Sequence, residues 1–238
     1  MTIKNIAIVV AMEQEADAVC HAGKQGQLAE FKTLSGSLKN GIKYKCIISG
    51  IGTERAAKAS QLMCAENPDL ILSIGVSGGL APGLQAGTIV TATTIHSDIA
   101  DYAPWHENDE DAKGRSELLP TCGDIQCGRL ITAEKPVLTP DDKVLMHDRT
   151  GALAVDMESI AVARTARASK IPFACIRAVS DDSTRKIPIE SMSGVDETGK
   201  TSLKPILIAI LKRPTLILEL IPMGMDYSKA LKALSNIL

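Results

Sequence analysis

Aromatic side chains are scarce in this sequence: two phenylalanines, three tyrosines and one tryptophan make up 3% of its 238 residues. Proteins that bind single-stranded nucleic acid stack bases on aromatic side chains and follow the backbone with clustered cations. The basic residues here are scattered, and the formal net charge is -2. We therefore expect no nucleic-acid partner.

The sequence also lacks the patterns of a metal site, a disulfide framework and a membrane span. The six cysteines form no C-x-x-C pair, and none has a histidine at the spacing of metal ligands. Several of them lie in apolar runs, which is typical of buried free thiols in a reducing compartment. No uncharged run approaches the ~20 residues that cross a bilayer. We therefore predict a cytoplasmic protein without a metal.

What the sequence does contain is a regular alternation of apolar runs and helical patterns. Apolar runs at residues 6–12, 44–49, 70–74, 130–132 and 172–180 predict buried strands, and segments with helical spacing follow several of them. Such an alternation favours an α/β fold. A chain of this length has enough residues for one large domain with an ample core.

Two carboxylates flank one of these helix–strand units. Residues 154–166, which begin A-V-D-M-E-S, have helical spacing with Glu158 near the start, and R-A-V-S-D ends the next strand at Asp181. Ligands collect at the carboxyl ends of strands in open α/β sheets. The alternative is structural: Glu158 caps a helix and Asp181 begins a turn. Glu15 poses the same choice, because acidic residues in a first helical turn also favour the helix dipole.

These motifs resemble the purine nucleoside phosphorylase and methylthioadenosine/S-adenosylhomocysteine nucleosidase superfamily. The resemblance covers roughly residues 3–183. It rests on A-M-E-x-E ending at Glu15, on S-G-I-G, on G-x-x-G-G-L-A-P from Gly75 and on the D-M-E … S-D pair. It implies a three-layer α/β/α sandwich around one mixed β-sheet, as in nucleoside phosphorylases.

The resemblance also implies roles for individual residues. Asp181, held by Ser180, is the acid that protonates the purine at N7; Glu15 activates a water; and Arg177 orients that water and Glu15. Glu158 holds the ribose hydroxyls. The remaining substrate-binding positions are Met157 against the sugar, Val137 at the purine edge through its backbone, and Gly78, Ile51 and Gly52. No cofactor is required.

Three positions depart from the family pattern. Val76 replaces a serine, Pro136 replaces the aromatic that stacks on the purine, and Asp156 shortens the first carboxylate of E-M-E. Val76 and Pro136 favour one alternative function, a non-catalytic nucleoside- or lipid-binding module. Joint retention of Glu15, Glu158, Arg177 and Asp181 favours an enzyme.

The last forty residues differ in character from the rest. They read as two or three apolar helices separated by Pro214 and Pro222. We predict a nucleoside phosphorylase-like domain over residues 1–200 and an apolar helical extension over 201–238, packed on that domain. The segment 203–238 is interpreted either as core or oligomer packing, or as a contact with a lipid-like substrate or with the inner membrane surface.

The K-R-P sequence and the leucine-rich ending resemble the hopanoid-associated phosphorylase branch, which is assigned to removing adenine from adenosylhopane. Cleavage of that lipid-linked adenine nucleoside is therefore the predicted function. The alternative is cleavage of a soluble nucleoside such as methylthioadenosine, with phosphate as a possible co-substrate. A glutamate beside the acceptor repels a phosphate dianion, so Glu15 favours water unless Arg55 and Arg177 together override that repulsion. The resemblance further implies a homo-oligomer.

Overall fold

Ten strands form one mixed sheet in the part of the chain that this computed structural model describes, residues 2–21, 23–119, 125–192, 198 and 203–238. The strands are β1 (Asn5–Val10), β2 (Lys24–Leu28), β3 (Phe31–Ser37), β4 (Lys43–Ile48), β5 (Leu70–Gly79), β6 (Ile89–Ser97), β7 (Trp105–His106), β8 (Gln126–Thr132), β9 (Ala154–Asp156) and β10 (Phe173–Asp181). The predicted mixed sheet is confirmed.

Eight helices accompany the sheet within the same residues. They are α1 (Glu13–Val19), α2 (Thr53–Cys64), α3 (Asp109–Leu118), α4 (Pro140–Thr150), α5 (Ser159–Ala168), α6 (Ile189–Met192), α7 (Leu203–Lys212) and α8 (Leu216–Ser235). The helical pattern that the sequence places from residue 154 onward begins only at Ser159. The three residues of β9 are a strand instead, because they pair with both β5 and β8.

The strand order is β10-β6-β8-β9-β5-β1-β4-β3-β2, and β10 also pairs with β5. Strands β5, β10, β6, β8 and β9 therefore close into a ring, from which β1 to β4 extend as an open sheet. Within this sheet β1, β5 and β10 run parallel. Their carboxyl ends consequently meet at one edge, where α/β proteins place ligands.

Helices cover both faces of the sheet and give the predicted three layers. On one face α2 and α5 contribute buried alanines and isoleucine to a cluster with β1 and β10. On the other face α1 and α8 pack against the even-numbered residues of β5 and β10. Successive side chains of a central strand point to opposite faces of the sheet. Because helices cover both faces, these strands are apolar almost throughout.

The C-terminal residues form two helices in the described part, and Pro222 does not separate a third. It lies inside α8, which continues to Ser235. Fully buried Ala230 and Leu234 fix the second half of α8 in the same cluster as the sheet, and such packing overrides a local helix breaker. The domain boundary at residue 200 remains a prediction.

No helix within the described residues is long and apolar enough to cross a membrane. Helices α7 and α8 nevertheless expose large apolar side chains. The most exposed are Leu211 at 82%, Leu218 at 71%, Met225 at 60%, Ile221 at 55% and Ile208 at 54%. We call these five residues the exposed apolar face.

Candidate active site

Glu15 lies at the carboxyl edge of the parallel strands and is only 2% exposed. Its Oε2 accepts hydrogen bonds from the backbone N–H of Ala11 (2.9 Å) and Met12 (3.0 Å), and Oε1 accepts from that of Val76 (2.8 Å). Gly75 makes this approach possible, because a Cβ there would lie 2.6 Å from Oε1. The carboxylate thus accepts hydrogen bonds from backbone groups just before α1 and from one in β5.

Burial raises the pKa of Glu15 above its ordinary value. The three backbone hydrogen bonds and the nearby charge of Arg177 act in the opposite direction but do not cancel the burial. A carboxylate with a raised pKa accepts a proton more readily near neutral pH. This is the property that a general base needs.

Arg177 is 3% exposed and directs its hydrogen bonds to residues other than Glu15. Its Nε donates to Asp156 Oδ2 (2.8 Å), Nη1 donates to the Ile176 carbonyl (2.9 Å), and Nη2 donates to the hydroxyls of Ser73 and Ser159 (2.8 Å each). Arg177 therefore acts on Glu15 through its charge, and the ion pair it makes is with Asp156. The sequence analysis described Asp156 only as a shortened form of the family's first carboxylate and did not predict its ion pair with Arg177.

Asp156 ends β9 and is tied to its surroundings by three side chains. Oδ1 accepts from the Thr132 hydroxyl (2.8 Å), and Oδ2 accepts from Ser159 as well as from Arg177. Both residues of the Asp156–Arg177 pair are almost fully buried. Removing one partner from such a pair would leave an uncompensated charge in the protein interior.

Glu158 lies at the N-terminus of α5, next to Asp156. Its Oε1 accepts a hydrogen bond from Gly52 N–H (2.8 Å), so Gly52 and Glu158 of the predicted set are neighbours. Glu158 is half-buried, and the desolvation of its carboxyl group together with the charge of Asp156 raises the pKa of Glu158 to about 8. Met157 and Ile51 adjoin these two residues in sequence and are half-buried.

A cavity of about 10 Å³ lies between these groups. That volume is about what one water molecule needs. Its charged and hydroxyl-bearing lining residues are Glu15, Glu158, Arg177, Ser49 and Ser73. The predicted base, the predicted ribose ligand and the predicted orienting arginine thus share one small space.

Asp181 ends β10 and is 5% exposed. The Ser180 hydroxyl lies 2.6 Å from Oδ1, and the Ser77 carbonyl oxygen lies 3.1 Å from the same hydroxyl. A Cβ at Gly78 would lie 3.3 Å from Oδ2. The structure therefore brings three predicted residues, Asp181, Ser180 and Gly78, into contact where β5, β9 and β10 converge.

Lys143 is a partner of Asp181 that the sequence analysis did not identify. It comes from α4, is fully buried, and its Nζ lies 2.5 Å from Asp181 Oδ2. α4 begins after Thr139, whose hydroxyl accepts a hydrogen bond from Asp142 N–H, and has Pro140 as its first residue. A lysine in the first turns of such a helix has no feature that distinguishes it from a solvated residue.

Tyr227 of α8 is a second residue that the sequence analysis missed. Its hydroxyl lies 4.0 Å from Met12 Sδ, and burial and the charge of Glu15 both raise its pKa. The C-terminal helix therefore reaches the Glu15 end of the site. No sequence motif marks Tyr227.

The side chain of Val137 packs against an apolar cluster. It is half-buried in the segment after β8 and packs against a small cluster that includes Leu80, Ile131 and Val155. Among the described residues, no group of three or more His, Cys, Asp or Glu side chains is arranged to hold a metal ion. The absence of a cofactor stays a prediction.

The sequence profile of the Phosphorylase superfamily matches residues 5–212, most of the chain. The chain belongs to the Phosphorylase superfamily.

Solved structures of methylthioadenosine/S-adenosylhomocysteine nucleosidases share the fold of this family member. The enzyme from Neisseria meningitidis, in complex with methylthio-immucillin-A, is 22% identical with a TM-score of 0.68, and the match covers 98% of this chain and 97% of that one. The Helicobacter pylori enzyme is 17% identical with a TM-score of 0.69, covering 99% and 94%. The Colwellia psychrerythraea enzyme, in complex with adenine, is 24% identical with a TM-score of 0.62, covering 76% and 84%.

Proposed function

We propose that this protein cleaves the N-ribosyl bond of an adenine nucleoside and releases adenine. The observation that carries the proposal is the convergence of Glu15, Glu158 and Arg177 on one water-sized cavity, with Asp181 on the adjoining strand end. Structural neighbours in complex with adenine or with a nucleoside analogue support an adenine nucleoside as the substrate.

Each group has one task in the proposed reaction. Water attacks C1′ and loses a proton to Glu15, the C1′–N9 electron pair moves onto the purine, and Asp181 delivers a proton to N7. Protonation of the leaving group by a positioned acid typically contributes ~10²–10⁴-fold. Glu158 binds the ribose hydroxyls with Met157 against the sugar, and the Val137 backbone binds the purine edge.

Several observations support water rather than phosphate as the acceptor. The cavity beside Glu15 has room for about one water molecule, and the carboxylates of Glu15 and Glu158 line it. Phosphate sites need an arginine with donors to spare. Arg177 spends its donors on Asp156, Ser73, Ser159 and a carbonyl. Arg55 donates to the Ser49 carbonyl and lies over the Phe31 ring.

For the 5′ side of the nucleoside we propose a large apolar group, as in adenosylhopane. A second cavity, of about 480 Å³, lies between α8 and the segment after Asp181, a size typical of ligand pockets. It is lined by Leu218, Pro222, Glu219, Thr184, Arg185 and Lys186. The exposed apolar face continues beyond Leu218, which supports a peripheral contact between α7–α8 and a lipid surface.

Methylthioadenosine is the alternative substrate, and the fold shared with the solved nucleosidases supports it as well as it supports adenosylhopane. Under that alternative the exposed apolar face belongs to a homo-oligomer interface. The two substrates place different demands on α8, because only the lipid needs a large apolar surface next to the site.

The test is adenine release, followed by chromatography, from adenosylhopane in detergent micelles and from methylthioadenosine, with Asp181→Asn as the control. A higher kcat/KM for the lipid supports the hopanoid proposal. A higher kcat/KM for methylthioadenosine contradicts it and leaves the soluble nucleosidase. Binding of both nucleosides by calorimetry with no turnover of either would identify a binding module instead.

A further inference from the structure

The fully buried side chain of Lys143 connects α4 to the end of β10. Its Nζ donates to Asp181 Oδ2, to the Asp182 carbonyl (2.8 Å) and to the Arg185 carbonyl (3.1 Å). An ammonium group has three hydrogens, so every one of them has an acceptor. The charge is therefore fixed in position and is not screened by solvent.

The geometry of these three bonds accommodates two positions of one proton. As an ammonium, Lys143 donates to the carboxylate and to both carbonyls. As a neutral amine, it retains two hydrogens for the Asp182 and Arg185 carbonyls, and its lone pair accepts from a protonated Asp181 carboxyl. Neither form leaves a buried polar group without a partner, which is the usual obstacle to moving a proton in a protein interior.

We propose that Lys143 is the positioning residue that supplies the proton which Asp181 delivers to the leaving purine. A proton crosses from Lys143 Nζ to the Asp181 carboxyl and from that carboxyl to N7, while the C1′–N9 electron pair moves onto the purine. Asp181 is then a carboxylate again and Lys143 a neutral amine. Lys143 regains its proton from solvent after adenine leaves. This inference rests on the proposed function and adds Lys143 to Asp181 as a second residue in the delivery of the proton.

Lysine suits this task because a buried ammonium releases its proton far more readily than a guanidinium does. The contact with the Arg185 carbonyl adds a link to substrate binding, since Arg185 also lines the 480 Å³ cavity. Lys143 thus connects the proposed acid, Asp181, to the wall of the proposed 5′-group pocket.

The experiment compares two leaving groups. One substrate is whichever adenine nucleoside the wild-type protein cleaves, and the other is 4-nitrophenyl riboside, whose leaving group needs no proton. Lys143→Met is expected to lower kcat on the nucleoside by about 10²-fold, within the range for general acid catalysis, with KM little changed. On the nitrophenyl riboside the loss is expected to stay below about fivefold. Equal losses on both substrates, or none on either, would overturn the proposal.

Two further variants separate proton supply from other roles. Lys143→Arg keeps the charge but holds its protons, so it is expected to be as slow as Lys143→Met on the nucleoside; recovered activity would contradict proton supply. Lys143→Gln serves the same comparison if Lys143→Met does not fold, as judged by circular dichroism. A failure of wild-type protein to release adenine would refute the proposed function itself, and full activity of Asp181→Asn would refute the role of Asp181.

Discussion

The two ends of the candidate site balance their charges in opposite ways. At the end that contains the small cavity, Glu15, Asp156 and Glu158 share one arginine, whose direct ion pair is with Asp156. At the other end, Lys143 makes its ion pair with Asp181. One end holds more carboxylates than cations, and the other holds a matched pair.

In the proposed reaction, this difference separates the proton acceptor, Glu15, from the proton donor, Asp181. At the end that contains the cavity, burial raises the pKa values of Glu15 and Glu158, and repulsion from Asp156 raises that of Glu158 further, so both groups bind a proton more readily. Where an ammonium faces one carboxylate, a proton is already held within the pair. The same residue types therefore suit opposite tasks at the two ends, as in other enzymes that place acid and base in contrasting environments.

The largest effect is expected from Asp181→Asn, which removes the donor end. Adenine release should fall by about 10²–10⁴-fold because an amide cannot protonate the leaving group. Nucleoside binding, measured by calorimetry, should change by less than tenfold since Glu158 and the backbone contacts remain. Asp148→Asn, an exposed acid of α4, is the control that should keep full activity. Unchanged turnover in Asp181→Asn would remove the distinction between the ends.

Asp156→Asn tests the other end through stability. It leaves Arg177 buried without its ion-pair partner, a change that typically costs about 3–5 kcal/mol. The free energy of unfolding from urea titration should fall by that order, whereas Asp148→Asn should change it by less than about 0.5 kcal/mol. A loss below 1 kcal/mol would show that Arg177 finds other compensation.

The excess of carboxylates also predicts how stability depends on pH. Glu158 has a raised pKa of about 8 in the folded protein, against 4.5 as its ordinary value, so the folded state binds more protons between these limits. Its stabilising contribution is present below about pH 4.5 and is lost as the pH rises through about 8. Each such group changes stability by at most about 1.4 kcal/mol per pH unit.

The measurement is the free energy of unfolding between pH 5 and pH 8.5 for wild-type protein and Glu158→Gln. The variant should show a shallower decline because glutamine does not titrate, and exposed Glu110→Gln should match wild type. Glu15 contributes a decline of the same sign. Identical slopes for wild type and Glu158→Gln would contradict the charge balance inferred for this end.

The smallest effect is expected at Leu211, on the exposed apolar face. Leu211→Glu should change the free energy of unfolding by less than about 0.5 kcal/mol, since Leu211 is 82% exposed. Buried Leu216→Ala, by contrast, should cost about 2–5 kcal/mol. Under the lipid proposal Leu211→Glu weakens binding to phospholipid vesicles in flotation assays; unchanged flotation would argue against a lipid contact there.

The central strands and the Asp181 end were predictable because their signals are local. Apolar runs determine the buried strands and place Asp181 at the ligand edge, whereas Ser180 and Gly78 were assigned to the site only through the family resemblance; in the structure all three are in contact. The ring of five strands was not predictable, because pairing of β10 with both β5 and β6 joins segments far apart in sequence.

Lys143 and Pro222 show the same limit in single residues. A lysine three residues after Pro140 reads as solvated, and only the packing of α4 on the end of β10 buries it. Pro222 reads as a helix end, and only the contacts of Ala230 and Leu234 keep α8 continuous around it. In both cases tertiary structure overrides a local preference.

The most direct test of the account is to supply methylthioadenosine and adenosylhopane in phosphate-free buffer and to identify both products of any cleavage. The account predicts adenine together with a free ribosyl sugar, at a rate that added phosphate does not raise and that Asp181→Asn lowers by about 10²–10⁴-fold. Adenine release that requires phosphate and yields a ribosyl 1-phosphate would contradict it, because the end that contains Glu15 would then bind an anion rather than activate water.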